Sequence, residues 1–259
     1  MDIWTLPTRA HQDLWWLLTA PKIVHDDSGI TISHQEQFTW LEEAWAWIQR
    51  DAVHPENLQE WVNNVHRRRK LGLYAEDLLH YYLHWGSKWR VRWHDVQIRE
   101  DKRSIGALDF ILEHGGQTEH WEMTVKFYLQ HKPTGHWKDF IGADERDSLH
   151  HKWAHFYDRQ LPMVEHPATL DLLKEDDIAI PERSRIWHCG LIFSEWNTPF
   201  VPPEQTSWGQ SDPEQPVGQW IRRRDFVQHF FNSSKRWAVR PHPHWLAPIE
   251  TEDVLDCIG

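Results

Sequence analysis

An α/β fold, a sheet covered by helices, is what the order of periodicities in this sequence predicts, and three observations carry that prediction. Apolar residues recur at helical spacing as far as Trp85, and the period then switches to alternation between Lys88 and Ile98. Next, residues 104 to 129, SIGALDFILEHGGQTEHWEMTVKFYL, read as two strands around Gly115 and Gly116. Finally, a helix from Asp144 to Gln160 and a buried strand from Ile186 to Phe193 complete the order helix, three strands, helix, strand. Consecutive strands with short turns pair as an antiparallel meander, and a helical crossover returns the chain to a further strand.

Taken in order, Ala10 to Thr19 and Phe38 to Arg50 place apolar residues on one helical face, joined by a loop with Pro21 and Gly29. They form a helical N-terminal elaboration, 1–56. Asn57 to Trp85 stays helical with an interruption near Gly72, and it opens an α/β core, 57–196. Asn197 to Gly218 is rich in Pro, Gln and Ser, the composition of a surface loop or linker over 197–218. The remaining 219–259 reads as a C-terminal extension packing on the core, with an amphipathic piece from Trp220 to Phe231 and a Pro- and His-rich ending.

The chain of 259 residues is 40% hydrophobic, enough for a real core. Its formal net charge is -11, which excludes a surface coated in positive charge but leaves room for basic patches. Those are Arg67 to Lys70, the alternation Lys88, Arg90, Arg92, and Arg222 to Arg224, while acidic residues collect at Glu175 to Asp177 and from Glu250 to Asp256. With 19 Trp and 20 His, a single Trp or His is weak evidence for a site. Cys189 and Cys257 form no CxxC pair, so a reducing cytoplasm is the expected location. The apolar run Leu14 to Ala20 is too short for a membrane span and lacks a basic n-region, so no membrane partner is expected. There is no P-loop, GxGxxG or GxSxG, which leaves nucleotide-dependent phosphoryl transfer, dinucleotide chemistry and α/β-hydrolase chemistry without support. His151 and His155 have zinc-ligand spacing but no HExxH or Cys/His set completes them, and His242 and His244 share that weakness.

A candidate site emerges from the strands. Side chains alternate across a sheet, so Trp121, Met123, Val125, Phe127 and Leu129 share one face, and Glu122, Thr124, Lys126 and Tyr128 the other. Taken alone, the polar row reads equally well as a solvated face. However, Asp109 interrupts the apolar run Ala107 to Leu112, and Glu76 projects between Leu73, Leu79 and Leu83 on the helical stripe that faces the sheet. Buried carboxylates need a cation, a hydrogen-bond network or a metal. Carboxylates and a lysine converging from a helix and two strands suit a hard divalent cation and a phosphate, and phosphodiester hydrolysis is the implied reaction.

These residues, Glu76 in LGLYAEDLLHYYL, Asp109 in GALDFIL, and Glu122 and Lys126 in HWEMTVKFYL, resemble the PD-(D/E)-x-K nuclease superfamily, whose restriction-endonuclease-like core has the same element order. More narrowly, RAHQDLWWLLTAPKI, LGLYAEDLL, GALDFIL, HWEMTVKFYL, DERDSLHHKWAHFYDRQL and WHCGLIF resemble, in that order, a bacterial family known as domain of unknown function 1853. The superfamily resemblance implies a Mg²⁺- or Mn²⁺-dependent DNA nuclease. Asp109 and Glu122 would hold metal, Glu76 would complete or tune the site, and Lys126 would act on the water or the phosphate. The usual acid of the pattern lies two residues before the lysine, where this chain has Thr124, and Glu122 to Lys126 spans roughly 13 Å of strand. A nuclease fold that only binds nucleic acid or serves as a scaffold, or a buried structural ion network, therefore stands beside the enzyme as an alternative reading.

Phosphate contacts are expected from Lys152 and Arg146, with Asp147 and Gln160 nearby, and from Arg90 and Arg92, with Trp89 or Trp93 available for stacking. A solvated helix or strand face is the plainer alternative for each of these charges.

Overall fold

The computed structural model describes residues 1–64, 70–213, 215, 217–230 and 245–248. Arg67 to Arg69, His242, His244, Cys257 and the tail from Glu250 to Asp256 lie outside the described residues. Along the chain come α1 (Arg9–Thr19), β1 (Val24–His25), α2 (His34–Asp51), α3 (Pro55–Asn64), α4 (Leu71–Trp85), β2 (Arg90–Glu100), β3 (Arg103–His114) and β4 (Gln117–Gln130). These are followed by β5 (Phe140–Ile141), α5 (Leu149–His155), α6 (Pro167–Glu175), β6 (Arg183–Glu195), β7 (Gln210–Ser211), β8 (Val217–Trp220) and α7 (Arg223–Phe230).

Local chemistry sets the boundaries. α2 begins at His34 rather than Phe38 because Ser33 and Glu36 close a capping box, in which Glu36 N–H donates to Ser33 Oγ and Ser33 N–H to the Glu36 carboxylate. The expected long helix to Gln160 is shorter and irregular. Ser148 caps α5 by accepting from His151 N–H, and Phe156–Gln160 continues as a π turn, then Leu161–Glu165 as a 3-10 turn.

Six of the described strands form one mixed sheet in the order β2-β3-β4-β6-β8, with β5 beside β4, and β1 and β7 form a separate two-stranded sheet. The meander β2-β3-β4 is antiparallel, while β4 with β6 and β6 with β8 run parallel. The 197–218 segment thus carries β7, which pairs with β1, and the start of a sheet strand. Composition hid these pairings because short edge strands lack an apolar run of their own.

Both faces of the sheet are covered. α1, α2, α3 and α4 pack their apolar stripes on Phe110, Leu112, Trp121, Met123, Val125 and Trp187, and Asp13 locks this layer by pairing with Arg9 (3.0 Å) and accepting from Tyr74 OH (3.1 Å). On the opposite face α5 and the π turn place Leu149, Trp153 and Phe156 against Tyr128, Ile186 and Ile192. A third cluster joins α6 to Leu108 and Ile111. The polar row of β4 is therefore no solvated face at its start: Glu122 is 0% and Thr124 8% exposed.

One glycine permits the central pairing. Gly190, at φ 154, lies opposite Lys126 in the parallel ladder, and a Cβ there would overlap the Lys126 carbonyl oxygen. We expect Gly190→Ala to push β4 and β6 apart and to destabilise the fold by about 3 kcal/mol or more, read as a lower midpoint in denaturant unfolding.

Candidate active site at a strand fork

The β3-β4 ladder runs from His114↔Gln117 to Phe110↔Trp121 and ends there, although both strands continue. β4 goes on along β6 to Leu129, and β3 goes on along β2 to Arg103. Asp109 and Glu122 are the first residues beyond the last pair. On the other side of β3 the β2 ladder also skips a pair, passing from His94↔Phe110 to Val96↔Leu108 around Asp95 at φ 50, a conformation Asp tolerates.

Separating two strands strands their amides, and buried N–H groups need acceptors. Here the acid side chains supply them: Met123 N–H donates to Asp109 Oδ2 (2.8 Å), and Asp109 N–H donates to Glu122 Oε1 (3.4 Å). The acids keep oxygen lone pairs that the two amides do not use.

Further groups converge on the pair. Gln160, presented by the π turn, donates from Nε2 to Glu122 Oε2 and accepts at Oε1 from Lys152 Nζ (3.0 Å). Lys152 rests over the Phe156 ring at 3.9 Å. His120 Nε2 lies 2.9 Å from Glu122 Oε1, and its Nδ1 lies 2.9 Å from Ser184 Oγ. From the other layer Glu76 of α4 pairs with His94 Nε2 at 3.0 Å, and the His94 ring stacks on Phe110.

Burial, then the neighbouring Glu122 and Glu76 charges, hold the Asp109 carboxyl well above its ordinary value. Burial pushes Glu122 up to about 8, against the pull of Lys152 and the hydrogen bond from the Asp109 amide. Lys152 is pushed down to about 8 by burial, against Glu122 and Asp109. Burial also lowers His120 to about 4, so its imidazole is neutral at pH 7. The fork is short of positive charge, and a cation bound there would favour ionised acids.

A metal can be tested against these donors. Mg²⁺ is commonly held by one or two carboxylates, water and substrate phosphate, and Asp109 with Glu122 fits that pattern. Asp109 is half-buried and so reaches solvent. Among the described residues, no group of three or more His, Cys, Asp or Glu side chains could hold a metal ion, and Glu76 is engaged by His94. The donors therefore suit a two-carboxylate site, not a three-carboxylate cage.

The remaining sequence-derived residues divide clearly. Lys126 is ion-paired with Asp147, while Lys152 is the lysine linked to the carboxylates through Gln160. Arg92 is committed to structure: it pairs with Glu113 (2.5 Å) and donates to the carbonyls of Asp176 (3.0 Å) and Asp177 (3.2 Å). Trp93 is likewise tied, donating to Asp176 Oδ2. Arg90 is exposed and lies 4.0 Å from Glu113, and Arg146 is exposed and paired with Asp144. His120 escaped the sequence reading, although strand alternation puts it on the same face as Glu122.

A family model described as domain of unknown function (DUF1853) matches residues 12–257. No curated protein and no solved structure matches the chain.

The raised acids fix a pH dependence. Between the ordinary range of a carboxylic acid and about 8, folded Glu122 binds more proton than the unfolded chain does, so stability falls as pH rises through that window. Facing it are Asp109 from β3, Glu76 from α4, Lys152 from α5, and His120. We expect the metal-free thermal midpoint to drop from pH 5 to pH 8 and the Glu122→Gln variant to show a shallower drop. An equal slope in wild type and variant counts against the buried acid.

Proposed function

The chain belongs to the DUF1853 family, and we propose that this protein is a metal-dependent phosphodiester hydrolase, a DNA nuclease of the PD-(D/E)-x-K type with a restriction-endonuclease-like core. The observation that carries the reading is the fork: half-buried Asp109 and buried Glu122, on diverging strands, each accept the other strand's free amide, and Lys152 is held beside them through Gln160. The element order, helix, antiparallel meander, helix and parallel strand, supports the same assignment.

In this reading Asp109 and Glu122 hold Mg²⁺ or Mn²⁺, which when bound polarises a phosphoryl oxygen and lowers the pKa of water. Glu76 adds negative charge behind them. Gln160 and His120 orient the Glu122 carboxylate, as partners of a metal ligand commonly do. Lys152 approaches the carboxylates from the helix layer, so it takes the part of the lysine that orients water or compensates charge on the phosphate. Lys126, paired with Asp147, stands next along β4 as a phosphate contact. Exposed Arg90 and Arg146 extend the positive surface for the DNA backbone.

A second reading, a nuclease-fold module that binds nucleic acid without cleaving it, is favoured by one specific observation. Thr124 occupies the usual acid position, and both fork carboxylates already serve backbone amides.

The deciding assay is cleavage of labelled single-stranded, double-stranded and branched DNA with Mg²⁺ or Mn²⁺, with chelator as control. Metal-dependent cleavage is expected, reduced about a hundredfold or more in Asp109→Ala and Lys152→Ala. Lys126→Ala should retain more activity than Lys152→Ala. A folded wild type that cleaves nothing across the panel but retains DNA binding supports the module, and one that neither cleaves nor binds excludes both readings.

A further inference from the structure

Away from the fork, the ends of α2 and α4 and the first turns of α3 border an open cleft of about 510 Å³. Its aromatic walls come from all three helices: Trp47 of α2, Trp61 of α3, and Tyr81 and Trp85 of α4. Tyr81 is buried, and half-buried Trp47 and Trp61 lean against it at 5.8 Å and 55° and at 5.5 Å and 64°. Rings inclined in this way make walls, not a closed stack. Both tryptophans are held in place. Trp47 lies on Gly86, where an added Cβ would come 2.5 Å from ring carbon Cδ2, and Trp61 donates from Nε1 to the Asp77 carbonyl at 3.2 Å.

Packing of three helices explains Trp47, Trp61 and Tyr81. It does not explain Trp85, the last residue of α4, whose ring is left 60% exposed beside them. Nor does it explain the charge. Asp51 and Glu60 line the same cleft, and among the described residues no lysine, arginine or histidine does. α2 and α4 both end here, and helix C-termini carry negative partial charge, while Glu56 in the first turn of α3 opposes the positive end of that helix. A second gap, of about 320 Å³ beside Trp40, Trp121 and Trp187, lacks this excess, because Lys88 and Glu43 pair across it at 2.8 Å.

We propose that the cleft between α2, α3 and α4 binds a trimethylammonium group, with its methyls against Trp47, Trp61 and Trp85 and its charge offset by Asp51 and Glu60. Aromatic rings attract a cation, and carboxylates beside them add to the attraction. Hydrogen bonding selects the kind of cation. Asp51 accepts from Tyr81 O–H at 2.8 Å and lies 3.2 Å from His11 Nε2, and its side chain is only 10% exposed, so it supplies field but few free lone pairs. A primary ammonium is strongly hydrated and a guanidinium brings five N–H donors, none of which a ring face satisfies. A quaternary ammonium has no N–H to satisfy. Two sources carry the group, a small quaternary amine such as choline and a trimethylated lysine side chain, and one chemistry serves both. Such a site stands whether or not the fork hydrolyses phosphodiesters.

The test is saturation-transfer NMR of the full chain with choline and with a short peptide bearing one trimethylated lysine, read on the methyl protons of each ligand and titrated for Kd. Transfer to the methyls is expected. Tighter binding of the peptide identifies a lysine side chain as the source, tighter binding of choline a small amine, and either result supports the site. The neutral analogue 3,3-dimethyl-1-butanol, which has carbon in place of the nitrogen of choline, should bind more weakly by roughly 2- to 30-fold. Trp85→Ala should weaken the interaction by a similar factor, and Trp85→Phe, which keeps a ring, should restore much of it. Trp85 is exposed, so an unchanged denaturant midpoint is expected in both variants.

Three results overturn the proposal: no transfer to either ligand from folded wild type, binding of the neutral analogue as tight as that of choline, or unchanged affinity in both Trp85→Ala and Glu60→Lys. An unmethylated copy of the peptide that binds as tightly as the trimethylated one also overturns it, since a plain ammonium would then suffice. Asp109→Asn should bind as wild type does, which separates this cleft from the fork.

Discussion

The separation of β3 from β4 after Phe110↔Trp121 is the constraint on which the rest of the site depends. β4 continues along β6 as a parallel neighbour, which it approaches closely because Gly190 carries no Cβ, and β3 continues along β2. The strands cannot follow both partners and stay paired to each other. The gap leaves main-chain amides without strand partners, and Asp109 and Glu122 supply the missing acceptors. Two acids are thereby drawn together in a nearly dry place, which no arrangement of apolar side chains would require.

That proximity has an electrostatic consequence felt in both layers. Burial raises both acids, the Glu122 and Glu76 charges raise Asp109 further, and Lys152, itself lowered by burial, is held near them through Gln160. The π turn at Phe156–Gln160 matters here. An extra residue in the helical turn changes the direction in which Gln160 projects, and Gln160 is the link between the lysine and Glu122. On the other side Glu76 is restrained by His94, which is itself stacked on Phe110 at the last paired position. The same fork can thus be read as a structural solution for stranded amides and as a seat for a cation, because the acids that close the ladder keep oxygen lone pairs the amides do not use.

The tryptophan-rich composition has an architectural explanation as well. Helices packed on the open end of the sheet must fill a wide space, and large rings do so with few residues: Trp40, Trp121 and Trp187 lie nearly parallel across the junction of α2, β4 and β6. Rigid rings pack with gaps that flexible aliphatic chains would fill, and the cavity beside them is such a gap.

The sequence by itself determined the order of the main elements. Helical spacing, the change of period after Trp85, and alternation in GALDFIL and HWEMTVKFYL are local properties, and the observed α4, β2, β3, β4, α5 and β6 follow that order. It also marked Asp109 and Glu76 as anomalous, since an acid in an apolar run is conspicuous without coordinates. What only the tertiary structure decided is which partners those acids have. The fork depends on β6, far along the chain, and Lys152 was no more conspicuous in sequence than Lys126. The short strands β7 and β8 lie in a Pro-rich segment whose composition carries no strand signal, and their structure comes from the edges they pair with. Periodicity reports which face a residue occupies; the choice of partner across that face is a property of three-dimensional pairing.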